Sequence, residues 1–586
     1  MKRTTRILAL LLAVLMFAGL AAGCGDSGSQ TSTAPSAAPS KAPDTTDPAD
    51  EGNPYLENDP AFNSADILGP DFALPGNVPP TKLPLVDGGV TLEFWSTINS
   101  GAVITTLAEG EMWKEAMNRT GVNLTFIHPS GAAINESFQL LIASQVYPDI
   151  LAQPQYYIGG IEKAVEDEVF LLLNDYEAQA PHFFGLLNAD EALMKDARTD
   201  SGYIGLFSNI MYTDVDMSPN GMTYRKDITD GFGITKMPET FAEWESTLTT
   251  LKDEHDFPGA LLLDQTGAAT FNSAMLTGLG LMHNYVLRNG KIEYARIAPE
   301  YKQYLTYMAD WYAKGLIYQD FYTVSSMYAA IQELAANDKV IFLNGWSAFS
   351  GDFWAQTGQA ANPNNFLAAI KDPVEQAGTK PMRRGYGEFK NFRIGGIGGH
   401  AIIATSEYKE VAVRFMDYFY SSDGSLLSCF GPWAGAGYDD PNATYYLRED
   451  GRPMTTALVS RNETLGLGQS YDLYSWHMPP LNFYQRELDG WTPDQYATLA
   501  VWGDTTTDWV TSPIPPNYSL TFDESSRATT VMADIQTYVD EMTIKFIIGA
   551  ESIDAKWDEY VSVITNRGVD EAMSLHQAAV DRYLAR

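Results

Sequence analysis

From Val90 onward, runs with apolar residues at every second position alternate with stretches whose apolar residues recur every three to four positions. A period of two marks a half-buried strand, and a period near 3.6 marks an amphipathic helix. Val90 to Trp95 is rich in β-formers, and in Val122 to Ile127 the residues Val122, Leu124 and Phe126 alternate with Asn123 and Thr125. Pro148-Asp149-Ile150-Leu151 supplies a third short strand. Helical stretches over 108–119 and 134–144 separate the three, so the pattern predicts a parallel sheet with right-handed crossovers. Ligands of such sheets gather at the carboxyl ends of the strands, which here carry Trp95 and the stretch Gln153 to Tyr157. Further along, Tyr301, Tyr304, Leu305, Met308, Trp311 and Tyr312 fall on one helical face, closed by Lys314-Gly315. A strand is predicted over Lys339 to Leu343, ending at Asn344-Gly345-Trp346, and a glycine-rich turn from Ile394 to Gly399 opens another over His400 to Ala404. Ala412, Phe415, Met416 and Phe419 share a helical face, and helices over 535–548 and 569–584 close the chain.

The amino-terminal fifty residues follow a different pattern. Lys2, Arg3 and Arg6 precede an apolar run from Ile7 to about Phe17, and small residues lead into Cys24. This is the layout of a secretory signal over 1–23, with an apolar core too short to require a spanning helix. A cysteine at that point resembles the lipobox of bacterial lipoproteins, although Ala21 stands three positions before it where the family prefers an aliphatic residue. The resemblance implies acylation of Cys24 (a diacylglyceryl, palmitate-type anchor) and a place on the outer face of the cytoplasmic membrane. Residues 24–60 are rich in Ser, Thr, Ala, Pro, Gly and Asp and read as a flexible tether.

Composition narrows the functional classes. The 586 residues carry a formal charge of −36, and removal of the three basic leader residues leaves the chain more acidic still. Such a molecule is repelled by phosphate backbones, so nucleic acid is excluded as a partner. The single other cysteine, Cys429, lies in an apolar context and reads as a buried small hydrophobe. G-x-S-x-G, H-E-x-x-H, Walker-type and C-x-x-C motifs are all missing, and the seven histidines show no ligand spacing. No cofactor and no metal are expected, since Lys252 to Pro258 and Asp214 to Gly221 both lack the oxygen spacing of a calcium loop.

Seven further segments carry a resemblance in order. They are Leu83-Pro84-Leu85-Val86, Arg119 to Val122, Ile142 to Ile150, Trp311 to Ile317, Asp417 to Ser421, Lys545 to Gly549 and Asp581-Arg582-Tyr583. The chain resembles the extracellular solute-binding lipoproteins of carbohydrate ABC transporters, of the large Gram-positive type labelled LipO. The resemblance implies an α/β, periplasmic-binding-protein-like type II fold, with two lobes, a hinge, a ligand cleft and a helix-rich C-terminal part. Residues 85–212 plus 396–465 would form the first lobe and 213–395 plus 466–586 the second. The implied role is capture of an oligosaccharide by a monomer that performs no chemistry and presents its ligand to membrane permease subunits. A sensor lipoprotein that reports to a membrane kinase, and a surface-anchored polysaccharide-degrading enzyme, are the alternatives.

A sugar site needs aromatic platforms for C–H faces and paired polar groups for hydroxyls. Among 12 Trp, 32 Tyr and 27 Phe, those at strand ends or in glycine-rich loops are the candidates. They are Trp95, Trp346 after Asn344-Gly345, Trp433 in Gly431-Pro432-Trp433-Ala434-Gly435, and Tyr474 with Trp476 near His477. Tyr386 lies among Arg383, Arg384 and Arg393, a basic patch able to pair with an acidic sugar.

Overall fold

The computed structural model describes residues 53–57, 61–65, 73–98, 103–213, 220–263, 274–281, 284–324, 330–346, 366–382, 391–460, 462, 464–465, 467–483, 486, 493–505, 511–512, 514–515 and 517–586. Cys24, Arg384 and Tyr386 lie outside them, as does the side chain of Trp346.

Strands β1 (Thr91–Trp95), β2 (Asn123–Ile127) and β3 (Ile150–Ala152) form the predicted parallel core, with β1 between the other two. Helices Glu111–Thr120 and Ile134–Ser144 make the two crossovers. The first of these ends where Gly121 adopts φ 72°, a left-handed cap at which an added Cβ would meet the Val86 carbonyl oxygen at 2.3 Å. β4 (Phe207–Thr213) and two strands from much later in the chain complete a six-stranded sheet. Asn391–Ile402 runs antiparallel to both β3 and β4, and Leu481–Phe483 lies parallel to β4 on the outer edge.

A second sheet has three antiparallel strands, with Asn220–Arg225 between Phe342–Trp346 and Leu367–Ile370. Each sheet has its own apolar core. Phe94, Trp113, Phe183, Phe207, Phe415 and Phe419 fill the first; Trp244, Trp311, Phe342, Tyr301 and Tyr560 fill the second. Burial of this many large aromatics, each contributing roughly 1.5–3 kcal/mol, accounts for a body built without disulfides. The long C-terminal helices Phe522–Ile547, Ile553–Asn566 and Val569–Ala585 pack on the second core.

Several sequence expectations need correction. The expected tether reaches residue 60, yet 53–57 dock on the body: the Asn53 amide donates to the Ala178 carbonyl at 2.9 Å, Arg414 covers the Tyr55 ring at 4.7 Å, and Leu56 bridges to Thr81. The expected strand Lys339–Leu343 is displaced to Phe342–Trp346, because pairing with Asn220–Arg225 sets its register. Ile394 to Gly399 is the irregular interior of one strand, not a turn before it. Its two ends therefore bracket a break in pairing, which local glycine content mimics. In consequence 391–394, and likewise 481–483, pair with the first sheet and not with the second lobe in which the sequence pattern puts them. On the helix Pro299–Ala313 the expected buried face is present, except that Tyr312 is only half-buried.

Candidate functional site

A cavity of about 370 Å³ opens where the parallel strands end. Its walls include Ser96 and Thr97, which follow β1, and Gln153, which follows β3. His400 is brought beside Gln153 by antiparallel register, since it pairs with Ala152. Gly399, the preceding residue, has φ 150° and an ideal Cβ there would meet the Phe207 carbonyl oxygen at 3.1 Å. A further wall comes from Asp472, in the last turn of the helix Leu467–Tyr474, and from Ser475 to Met478, which follow it.

The floor is aromatic. Trp476 packs against Trp113 at 4.4 Å with the rings tilted by 53°, and meets Phe419 edge-on at 5.1 Å, His400 at 5.1 Å and Phe94 at 5.9 Å. The site is rigid at its base because these rings belong to the main core.

Among the described residues of this lining, three polar atoms have no partner. They are Gln153 Oε1, His400 Nδ1 and Ser475 Oγ, each fully screened from solvent. The Gln153 amide is oriented by its Nε2–H, which donates to Thr97 Oγ1 at 3.1 Å. His400 is 4 % exposed, and burial pushes its imidazole down to about 3, so it stays neutral across the physiological range. Buried polar atoms are nearly always hydrogen-bonded, and leaving one unpaired costs about 1–3 kcal/mol. Three around one cavity fit a ligand that brings both donors and acceptors.

Arg486 holds the loop in place. Its guanidinium is wholly buried and donates to the carbonyls of Trp476 at 2.8 Å, His477 at 2.6 Å and Cys429 at 3.3 Å. It also lies over the Tyr471 ring at 4.5 Å. Burial, with Arg486 nearby, pushes the His477 imidazole below its ordinary range.

Of the sequence-predicted aromatics, the structure brings Trp476 into the cavity. Trp433, 39 % exposed, lies edge-on to Tyr474 at 6.4 Å, and neither lines the cavity. Trp95 needs correction: it is 3 % exposed and packs on Phe138 at 5.7 Å. On that face of β1 Thr91 and Glu93 are exposed, but at its end Trp95 enters a small core with Phe138, Leu151 and Phe170, and the cavity begins at the next residue. Sequence reasoning did not single out His400, Ser475, Asp472 or Arg486.

A larger cavity, about 770 Å³, lies beside the chain terminus between Gly159, Lys163, Asp196, Asn517, Phe522 and Arg586. Of its lining charges, Asp200 takes Arg586 at 2.6 Å and also Arg582 at 2.7 Å, and Lys163 pairs with Asp167. Among the described residues, the larger cavity holds one buried unpaired side-chain atom, Asn517 Nδ2, against three beside the aromatic rings of the smaller one, which is the better candidate despite its size.

A family model for bacterial extracellular solute-binding proteins matches residues 95–425. No curated protein matches the chain in sequence. Among solved structures, the alginate-binding protein AlgQ2 without calcium ion is similar at 20 % identity and a TM-score of 0.62, over 85 % of this chain and 99 % of that one. An HMO-binding, ABC-transporter-associated solute-binding protein from Bifidobacterium longum infantis is similar at 16 % identity and TM-score 0.64, over 85 % and 99 %. The S. pneumoniae ABC-transporter substrate-binding protein FusA in complex with kestose gives 15 % and 0.63, over 84 % and 99 %.

Proposed function

Since the chain belongs to the bacterial extracellular solute-binding proteins, we propose that it captures an oligosaccharide outside the cell and presents it, unaltered, to the permease of an ABC importer. Its fold is of the periplasmic-binding-protein-like type II, α/β with a helix-rich C-terminal part. The observation that carries the reading is the cavity itself: Gln153 Oε1, His400 Nδ1 and Ser475 Oγ stand unpaired above the Trp476 floor. A sugar ring offers the complement, a C–H face for the indole and hydroxyls that both give and accept hydrogen bonds.

Trp476 forms the base of the site. We assign Trp433 and Tyr474 to an outer platform for a further ring, and Trp346, Arg384 and Tyr386 to additional ligand contacts. The lobes close because ligand contacts are better in the closed form than in the open one. Micromolar affinity corresponds to about −8 kcal/mol, within reach of a few stacked rings and paired hydroxyls. Acylated Cys24 moors the monomer to the membrane. Support for sugar as the cargo comes also from the solved relatives, whose names record alginate, HMO and kestose.

The test is a thermal-shift and calorimetric panel of oligosaccharides on the full chain, with mass spectrometry of the recovered sugar. One or more should raise the melting temperature and return uncut. Silence across the panel, or shortened products, would refute the reading.

A further inference from the structure

We propose that the cavity above Trp476 takes an uncharged sugar residue and rejects its uronate counterpart. This deepens, and rests on, the reading of the protein as an oligosaccharide binder.

Among the described residues that line the cavity there is no lysine and no arginine. The one acidic side chain is that of Asp472, itself 4 % exposed. A uronate entering here would bury its carboxylate without a cation, beside a second carboxyl group. An isolated buried charge costs several kcal/mol unless it is paired, and a like neighbour adds to that cost. Arg486 is not among the lining residues, and its two terminal nitrogens donate to the carbonyls of Cys429, Trp476 and His477.

The unpaired atoms point the same way. Gln153 Oε1 is an acceptor, because the amide nitrogen donates to Thr97 Oγ1. A carboxylate is acceptor-only and cannot satisfy it, whereas a hydroxyl donates to Gln153 and accepts from Ser475. The His400 imidazole, held neutral by burial, supplies no charge to an anion. A site built for hydroxyls rejects a ligand that leaves its buried groups unpaired far more sharply than one built on apolar contact alone.

The experiment is calorimetric titration of the full chain with matched tetrasaccharides: glucan, mannan and galactan tetraoses against the corresponding glucuronate, mannuronate and galacturonate tetramers. At least one neutral member should bind, with its uronate counterpart weaker by about tenfold or more. Gln153→Lys, which puts a cation into the lining at a half-buried position, should narrow that gap by about the same factor. Uronates that bind as tightly as neutral sugars, or a gap unmoved by Gln153→Lys, would overturn the inference and leave oligosaccharide binding standing. Absence of binding by every tetramer would overturn both together.

Discussion

Ser475→Ala separates a ligand-binding hydroxyl from a structural one. Ser475 is wholly buried, and its Oγ has no hydrogen-bond partner, while its backbone N–H is secured by the Tyr471 carbonyl at 2.8 Å. Alanine keeps the backbone bond and removes only the oxygen. Since a buried hydroxyl without a partner costs about 1–3 kcal/mol, the free protein should gain about 1 kcal/mol of stability. The ligand complex loses one neutral hydrogen bond, about 0.5–1.5 kcal/mol, so affinity should fall about three- to tenfold. Denaturant unfolding without sugar and calorimetry with it read the two effects separately. A polar residue kept at a cost to the free fold is one whose partner arrives with the ligand. A variant less stable than the parent by 1 kcal/mol or more, with affinity intact, would refute this reasoning.

The other predictions follow from buried charge. Arg486→Leu leaves three carbonyls without their donor, so it should lower stability by about 3–5 kcal/mol in denaturant unfolding and abolish sugar binding. Asp417 accepts the N–H groups of His182 and Phe183 at the start of the helix Pro181–Ala189, and burial nevertheless pushes its carboxyl up to about 8. The native state therefore holds a proton that the unfolded chain has lost, and stability should decline as pH rises from 4 to 8; Asp417→Asn should flatten that decline. His400 behaves oppositely: burial pushes it down to about 3, so its contribution is lost as pH falls below about 6.5. His400→Gln should reduce the acid slope by about one proton in urea titrations between pH 3 and 6.5, and a slope unchanged by the substitution would contradict its neutral burial.

Much of the fold is legible in local pattern. The alternation in Val122 to Ile127 and the helical spacing of Tyr301 to Trp311 each encode one face, and each face turns to a core, with Phe126 only partly buried. The site is less legible, because its walls meet from distant parts of the chain. His400 reaches Gln153 through antiparallel pairing across some 250 positions, and nothing in its own neighbourhood signals that register. Trp95 illustrates a parity error. Successive strand side chains face opposite ways, and Phe94 joins the Trp476 cluster while Trp95 joins Phe138 on the other face. A strand end marks the neighbourhood of a site without saying which residue faces it. Arg486 was missed for a different reason: its partners are carbonyls, and carbonyls leave no trace in residue identity.

Capture without chemistry is tested most directly by titrating the full chain with its cognate oligosaccharide and following small-angle scattering and sugar integrity in one sample. One sugar bound per chain, a smaller radius of gyration on binding and full recovery of intact ligand are the expected results. A radius that does not change at saturation, or any cleaved glycan, would contradict them.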